Sequence, residues 1–156
     1  MEYTYLNCRQ HKVIKRKKFI YKFYKRECNY INEKEFYLEC KDKVDFIPPL
    51  IYYSDKRKLL ILKNVGSSLN RKQYSLVQDI VFDLYKKLYY KTGYYHNDLL
   101  YRNVVRSTAG KYYLIDFERT KKIYKKISKD NSQELLNKID NLSSFIITTD
   151  TQDIPE

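Results

Sequence analysis

The sequence predicts an α+β fold, and three observations predict it. Apolar and polar residues alternate across residues 1–25, a pattern of helical period fills residues 71–92, and a Ser-Thr-Ala-Gly turn joins two short apolar runs further on. Taken in order, the first stretch holds three strand-like runs, YTYLN, HKVIKRK and KFIYKFYK. INEKEFYLECK, residues 31–41, has helical propensity and gathers Phe36, Tyr37 and Cys40 near one face. Pro48-Pro49 bars that helix from continuing. Two more strands, LIYYSD and KLLILKNV, meet at the polar turn Ser54-Asp55-Lys56-Arg57.

Gly66-Ser67-Ser68 marks a boundary that divides the chain into a strand-rich unit, residues 1–66, and a second unit, residues 67–156. The second unit opens with one long amphipathic helix over 71–92, its spine formed by Leu76, Ile80, Val81, Leu84 and Leu88 and its end marked by Gly93. YYHNDLLYRN fits neither period and reads as a loop. A hairpin follows, VVR and KYYLIDF about a turn at residues 107–110. Asn131 and Glu134 have the spacing of a capping box, opening a helix that runs through Phe145.

With 43% hydrophobic residues and no Trp, a core must be built from Tyr, Ile, Leu and Phe. Eighteen Tyr are present, and because each buried hydroxyl needs a partner, many are expected at the edge of the core with the oxygen in water. The net charge is +12, with the excess concentrated in residues 9–26, which carry nine Lys and Arg and no acid. Such a field suits polyanions: nucleotide phosphates, nucleic acid, phospholipid or an acidic protein; a solvated basic face is the plain alternative. Three Cys without metal-ligand spacing and only two His argue against a zinc site and for reduced thiols. No apolar run reaches membrane-spanning length and the start lacks a signal-peptide core, so the expected place is the cytoplasm.

The chemistry sits in His96-Asn97-Asp98-Leu99-Leu100-Tyr101-Arg102-Asn103 and Leu114-Ile115-Asp116-Phe117-Glu118. Magnesium takes oxygen ligands, usually one or two carboxylates beside phosphate oxygens. Phosphoryl transfer also needs a carboxylate that orients the attacking hydroxyl and accepts its proton. A loop followed by a hairpin brings Asp98, Asn103 and Asp116 together to meet both needs.

YYHNDLLYRNVV resembles the catalytic loop of the protein-kinase superfamily, His-x-Asp with Asn five residues after the Asp, and LIDFE resembles its Asp-Phe-Gly with Glu118 in place of Gly. The resemblance implies a compact, atypical member, like the lipopolysaccharide-kinase, RIO-type and antibiotic-phosphotransferase branches. The small size suits a virus or another streamlined genome. It implies an antiparallel-sheet lobe with one helix and a truncated, mainly helical second lobe carrying the loop and hairpin. It makes Asp98 the catalytic base, and Asn103 and Asp116 the magnesium ligands. Lys22 stands where the family's phosphate-binding Lys lies, with Lys17, Lys18 and Lys25 nearby. Glu33 is its expected helix partner, with Glu35 competing. Lys63, Asn64 and Val65 fall where adenine is held. ATP and magnesium are the implied cofactors. His96 is expected to hold the loop by packing and hydrogen bonding. Glu118 is either an acid on the metal side or an exposed one, and Arg102 either meets phosphate or pairs with an acid in the loop.

Two departures bear on function. No Gly occurs before Gly66, so the family's glycine-rich loop is missing, and Lys12, Lys15 or Arg16 would have to meet the phosphates instead. About forty residues follow Asp116, too few for a full lower lobe and its peptide-docking surface; Asp130 is the candidate acid supporting the loop there. The first expectation is therefore an ATP- and magnesium-dependent phosphotransferase of Ser/Thr-kinase type, acting on a hydroxyl of a protein or a small molecule. The alternatives are a pseudokinase-like binding module that regulates a protein partner, and a basic nucleic-acid-binding protein working through the N-terminal region.

Overall fold

A computed structural model describes residues 4–8 and 11–122. The expected helix over 131–145, Asp130 and the tail lie outside the described residues. The chain opens with β1 (Thr4–Cys8), β2 (His11–Lys15) and β3 (Phe19–Tyr24), passes through helix α1 (Glu27–Cys40), and returns as β4 (Leu50–Ser54) and β5 (Leu59–Lys63). These five strands make one antiparallel sheet in the order β1-β2-β3-β5-β4. The pleat sorts the side chains: on β2, His11 and Val13 are buried and Lys12 is exposed, while on β3, Lys22 and Tyr24 are buried.

After the sheet come β6 (Ser67–Ser68), α2 (Arg71–Leu76), α3 (Gln78–Thr92), β7 (Tyr94–Tyr95), a 3-10 turn at Tyr101–Asn103, β8 (Val104–Arg106), β9 (Tyr112–Leu114) and β10 (Lys121–Lys122). The expected hairpin is β8–β9, and β6 extends it to three strands by pairing Ser67 with Arg106 and Ser68 with Val105. Strands β7 and β10 pair separately. None of the described helices is long and apolar enough to cross a membrane.

Three sequence expectations are corrected. The first helix begins at Glu27 rather than at residue 31, because Tyr30, 2% exposed, packs edge-on against Tyr24 with ring centroids 5.8 Å apart and draws the preceding turn into the helix. The second helix is two helices. Asn70 and Gln73 form a capping box that starts α2, and the backbone leaves helical geometry at Val77 (φ −126°, ψ 18°) before α3 resumes. The break rotates the buried stripe: Leu76 is 80% exposed and Ile80 47%, while Val81, Tyr85, Leu88, Tyr89 and Thr92 face inward. Finally, tyrosines occupy the core and not only its rim: Tyr24, Tyr30, Tyr37, Tyr74 and Tyr85 are buried among Phe36, Leu60, Val104 and Leu114. Tyr30 satisfies its hydroxyl on Asp55 at 2.7 Å, whereas the Tyr37 and Tyr85 hydroxyls are enclosed without a hydrogen-bond partner among the described residues. Enclosure pushes the ionisation of both far above the usual tyrosine range.

Candidate functional site

The centre of the site is an ammonium group inside the protein. Lys22 is 5% exposed, and its Nζ donates to Glu33 Oε1 at 2.7 Å, to Glu33 Oε2 at 2.9 Å and to Asp116 Oδ1 at 3.0 Å. Its place follows from the fold. Alternation on β3 turns Lys22 under the sheet, and helical spacing on α1 puts Glu33 on the stripe with Tyr30, Phe36, Tyr37 and Cys40. Of the competing candidates, Lys17, Lys18, Lys25 and Glu35 are exposed. Burial acts against the Lys22 charge, but Asp116 and then Glu33 outweigh it and hold the ammonium well above the usual lysine range. Glu33 is pushed up by burial against the pull of Lys22; for Asp116, Lys22 outweighs burial and keeps the carboxylate ionised. The arrangement therefore carries a fixed cation flanked by two carboxylates.

The loop between β7 and β8 is held by His96. Its Nε2 donates to the Ile115 carbonyl at 2.8 Å, and its Nδ1 accepts from the Asp98 backbone N–H at 3.2 Å. One donor and one acceptor define the neutral Nε2–H tautomer. Burial agrees, lowering the His96 pKa despite the Ile115 bond and the nearby carboxylates. The expected structural role of His96 thus takes a definite form: it ties the loop to the residue before Asp116. Asn103, buried, donates from Nδ2 to the Asp98 carbonyl at 2.9 Å, and its own carbonyl accepts from the Ile115 N–H at 3.0 Å. Its amide nitrogen is thus committed, and Asn103 is among the residues lining the cleft.

Asp116 adopts a left-handed backbone (φ 68°), as does Asn97 (φ 64°). Non-glycine residues hold that conformation only when their surroundings impose it, and such positions concentrate at functional sites. The anchor here is Phe117, fully buried and stacked on Phe36 with centroids 4.0 Å apart. Asn32 on α1 adds two bonds to the same segment, to the Glu118 carbonyl at 2.7 Å and the Thr120 carbonyl at 3.0 Å. The helix carrying Glu33 and the segment carrying Asp116 are therefore fixed to one another.

A cleft of about 480 Å³ opens beside these groups. Val13, Ile20 and Leu62 form its apolar side; Lys22, Asn103 and Asp116 its polar end. Lys63 and Val65 line it, but Asn64 does not. The Asn64 N–H donates to the Lys18 carbonyl at 2.9 Å and its side chain bridges the Arg16 carbonyl, at 2.8 Å, and the Gly66 N–H, at 3.2 Å. Of the basic residues expected near phosphate, Lys15 lines the cleft and donates to the Gly66 carbonyl at 3.0 Å; Lys12 and Arg16 are not among the lining residues. Arg102 lines it as well. Asp98 is half-buried, joined to Asn103 through its backbone, and its side chain is not part of the lining.

Sequence reasoning missed His11 and left Glu118 open. Both are buried, and His11 Nδ1 lies 3.1 Å from Glu118 Oε2. The strand alternation that turns Val13 inward also turns His11 inward, and that signal was present in HKVIK.

The Asp116 carboxylate and the Asn103 side-chain amide, both in the cleft lining beside Lys22, are oxygen donors of the type a hard divalent cation takes. No protein-family model matches the chain, and no curated protein matches its sequence. Solved structures do. A high-resolution crystal structure of WbdD aligns with a TM-score of 0.61 at 16% identity, over 89% of this chain and 37% of WbdD. A structure of the bifunctional kinase-methyltransferase WbdD aligns with a TM-score of 0.56 at 15% identity, over 86% of this chain and 35% of that one. The chain thus spans little more than a third of the proteins it resembles, and what it shares with them is a fold, a mixed α+β arrangement compatible with a compact kinase-like domain.

Proposed function

We propose that the chain is an ATP- and magnesium-dependent phosphotransferase that moves the γ-phosphate to a hydroxyl acceptor. The observation that supports it best is Lys22, bonded at once to Glu33 and Asp116 in a cleft that Val13, Ile20 and Leu62 also line. In this reading residues 1–66 and 67–156 are two lobes with the nucleotide between them. Adenine lies against Val13, Ile20 and Leu62 with Lys63 and Val65 beside it, and Asn64 braces that segment from behind. Lys22 binds the phosphates, held in place by Glu33. Asn103 and Asp116 would hold magnesium, which would supply neutralisation of charge on the phosphate oxygens. Asp98 orients the acceptor and takes its proton as the hydroxyl oxygen bonds to the γ-phosphorus and the bond to ADP breaks.

Incubation with γ-labelled ATP and magnesium tests this. Label should pass to the protein itself or to an added hydroxyl compound, and Asp98→Asn should slow transfer by roughly 100-fold or more, the scale of a general base. Equal transfer by the variant contradicts the assignment. A second reading, a nucleotide-binding module without efficient transfer, is favoured by the absence of the Asp98 side chain from the cleft lining and of any Gly from the sheet above it. Binding without transfer to any acceptor would select it.

A further inference from the structure

His11, Asp116 and Glu118 each offer a ligand atom, and these atoms all lie within 4.8 Å of one another. Two features separate this cluster from a chance gathering of acids. One member is an imidazole, and two of the three groups are enclosed: the His11 side chain is 4% exposed and that of Glu118 7%. One pair, His11 Nδ1 and Glu118 Oε2, lies 3.1 Å apart and is an ion pair only with a protonated imidazole; neither atom makes a hydrogen bond among the described residues. Leaving two buried polar atoms unsatisfied costs about 1–3 kcal/mol each, so a native arrangement of this kind calls for something between them.

We propose that His11, Asp116 and Glu118 bind a divalent transition-metal ion of the zinc and cobalt class. Metal–ligand bonds of about 2.0–2.2 Å place donors roughly 3–3.5 Å apart, so from separations within 4.8 Å the cluster needs to close by at most about 1.5 Å. An imidazole nitrogen beside two carboxylate oxygens suits zinc or cobalt(II), whereas magnesium prefers oxygen alone. Asp116 Oδ1 accepts from Lys22 at 3.0 Å, and the carboxylate keeps further lone pairs for an ion. The ion would join β2 to the segment after β9 and so fasten the wall of the cleft carrying Val13 over its polar end. No spacing in the sequence announces the site, because the fold brings together ligands from opposite ends of the described chain. Only Asp116 is shared with the phosphotransferase reading, and the metal site does not require that reading to hold.

The test is a titration of the full, chelator-treated chain with zinc in the absence of nucleotide, followed by the ring-nitrogen resonances of its two histidines. The expected result is a shift at the His11 imidazole with one zinc per chain, while His96 keeps its Nε2–H tautomer and excess magnesium does not reverse the change. His11→Gln and Glu118→Gln should each weaken binding at least about tenfold, since even an outer-shell partner is worth about 10–100-fold in affinity. Zinc that leaves the His11 ring unmoved, or that binds the folded variants as it binds the parent, overturns the proposal. The histidine resonances decide the matter in the parent protein even if a variant fails to fold. Because no nucleotide is present, this result and the outcome of the ATP experiments are independent.

Discussion

At the residue scale, the site depends on charge held out of water. Removing one partner of a buried ion pair typically costs about 3–5 kcal/mol, because the other charge is left uncompensated. Glu33→Ala is therefore expected to destabilise the protein by about 3 kcal/mol in denaturant melts, leaving Lys22 with Asp116 alone. Lys22→Met combined with Glu33→Leu should cost clearly less than the sum of the two single changes; strict additivity would show that the pair is not coupled. Asp98, Asn103 and Asp116 stand out in the sequence because they belong to a spaced pattern, whereas Glu33 competes with Glu35 until the buried face of α1 separates them. Lys22 could be ranked above Lys17, Lys18 and Lys25 only by its strand register, which the structure supplies. His11 belongs to no motif: alternation in HKVIK gives its burial but not its neighbour, and Glu118, which meets it 3.1 Å away from the far end of the described chain, has no local signal of burial.

At the element scale, the connection from the sheet into α2 depends on Gly66. Its φ of +148° is open to glycine, and a Cβ there would sit 2.1 Å from the Arg106 carbonyl oxygen. Gly66→Ala is expected to cost about 2 kcal/mol or more and to lower Tm by several degrees, whereas Gly110→Ala meets only the end of the Arg106 side chain, at 3.6 Å, and carries strain from its φ of +84° alone. Comparable losses in the two variants would count against the close approach. Most strands were legible because alternation is a local signal: β2 to β5 fall within the predicted runs, and β1 runs one residue past its run, to Cys8. Helix boundaries were less so. The break at Val77 has no Gly or Pro to announce it, and the inward stripe of α3 relies on Tyr85 and Tyr89, which hydrophobic periodicity counts as ambiguous.

At the scale of the whole molecule, stability should depend on acidity through His96. Burial lowers its folded-state pKa, so the unfolded chain binds its proton more readily. The sign follows directly: the contribution is complete above the unfolded value near 6.5, and it is lost progressively as pH falls from there through the lower folded value. Denaturation midpoints measured from pH 7.5 to 5 should fall, and His96→Gln should flatten that slope from a lower starting stability. A slope unchanged by the substitution would place the titration elsewhere. The net charge of +12 acts across the same molecule, with Lys22 and Lys15 lining the cleft and Lys12, Arg16, Lys17 and Lys18 outside it.

The most direct test of the central claim, that Lys22, Asn103 and Asp116 form a nucleotide-phosphate site, is calorimetric titration of ATP with and without magnesium, beside Asp116→Asn. The account predicts saturable binding that magnesium strengthens and that the substitution weakens about tenfold or more, as expected when a buried charged partner is lost. No binding under any condition, or equal binding by the variant, would contradict it.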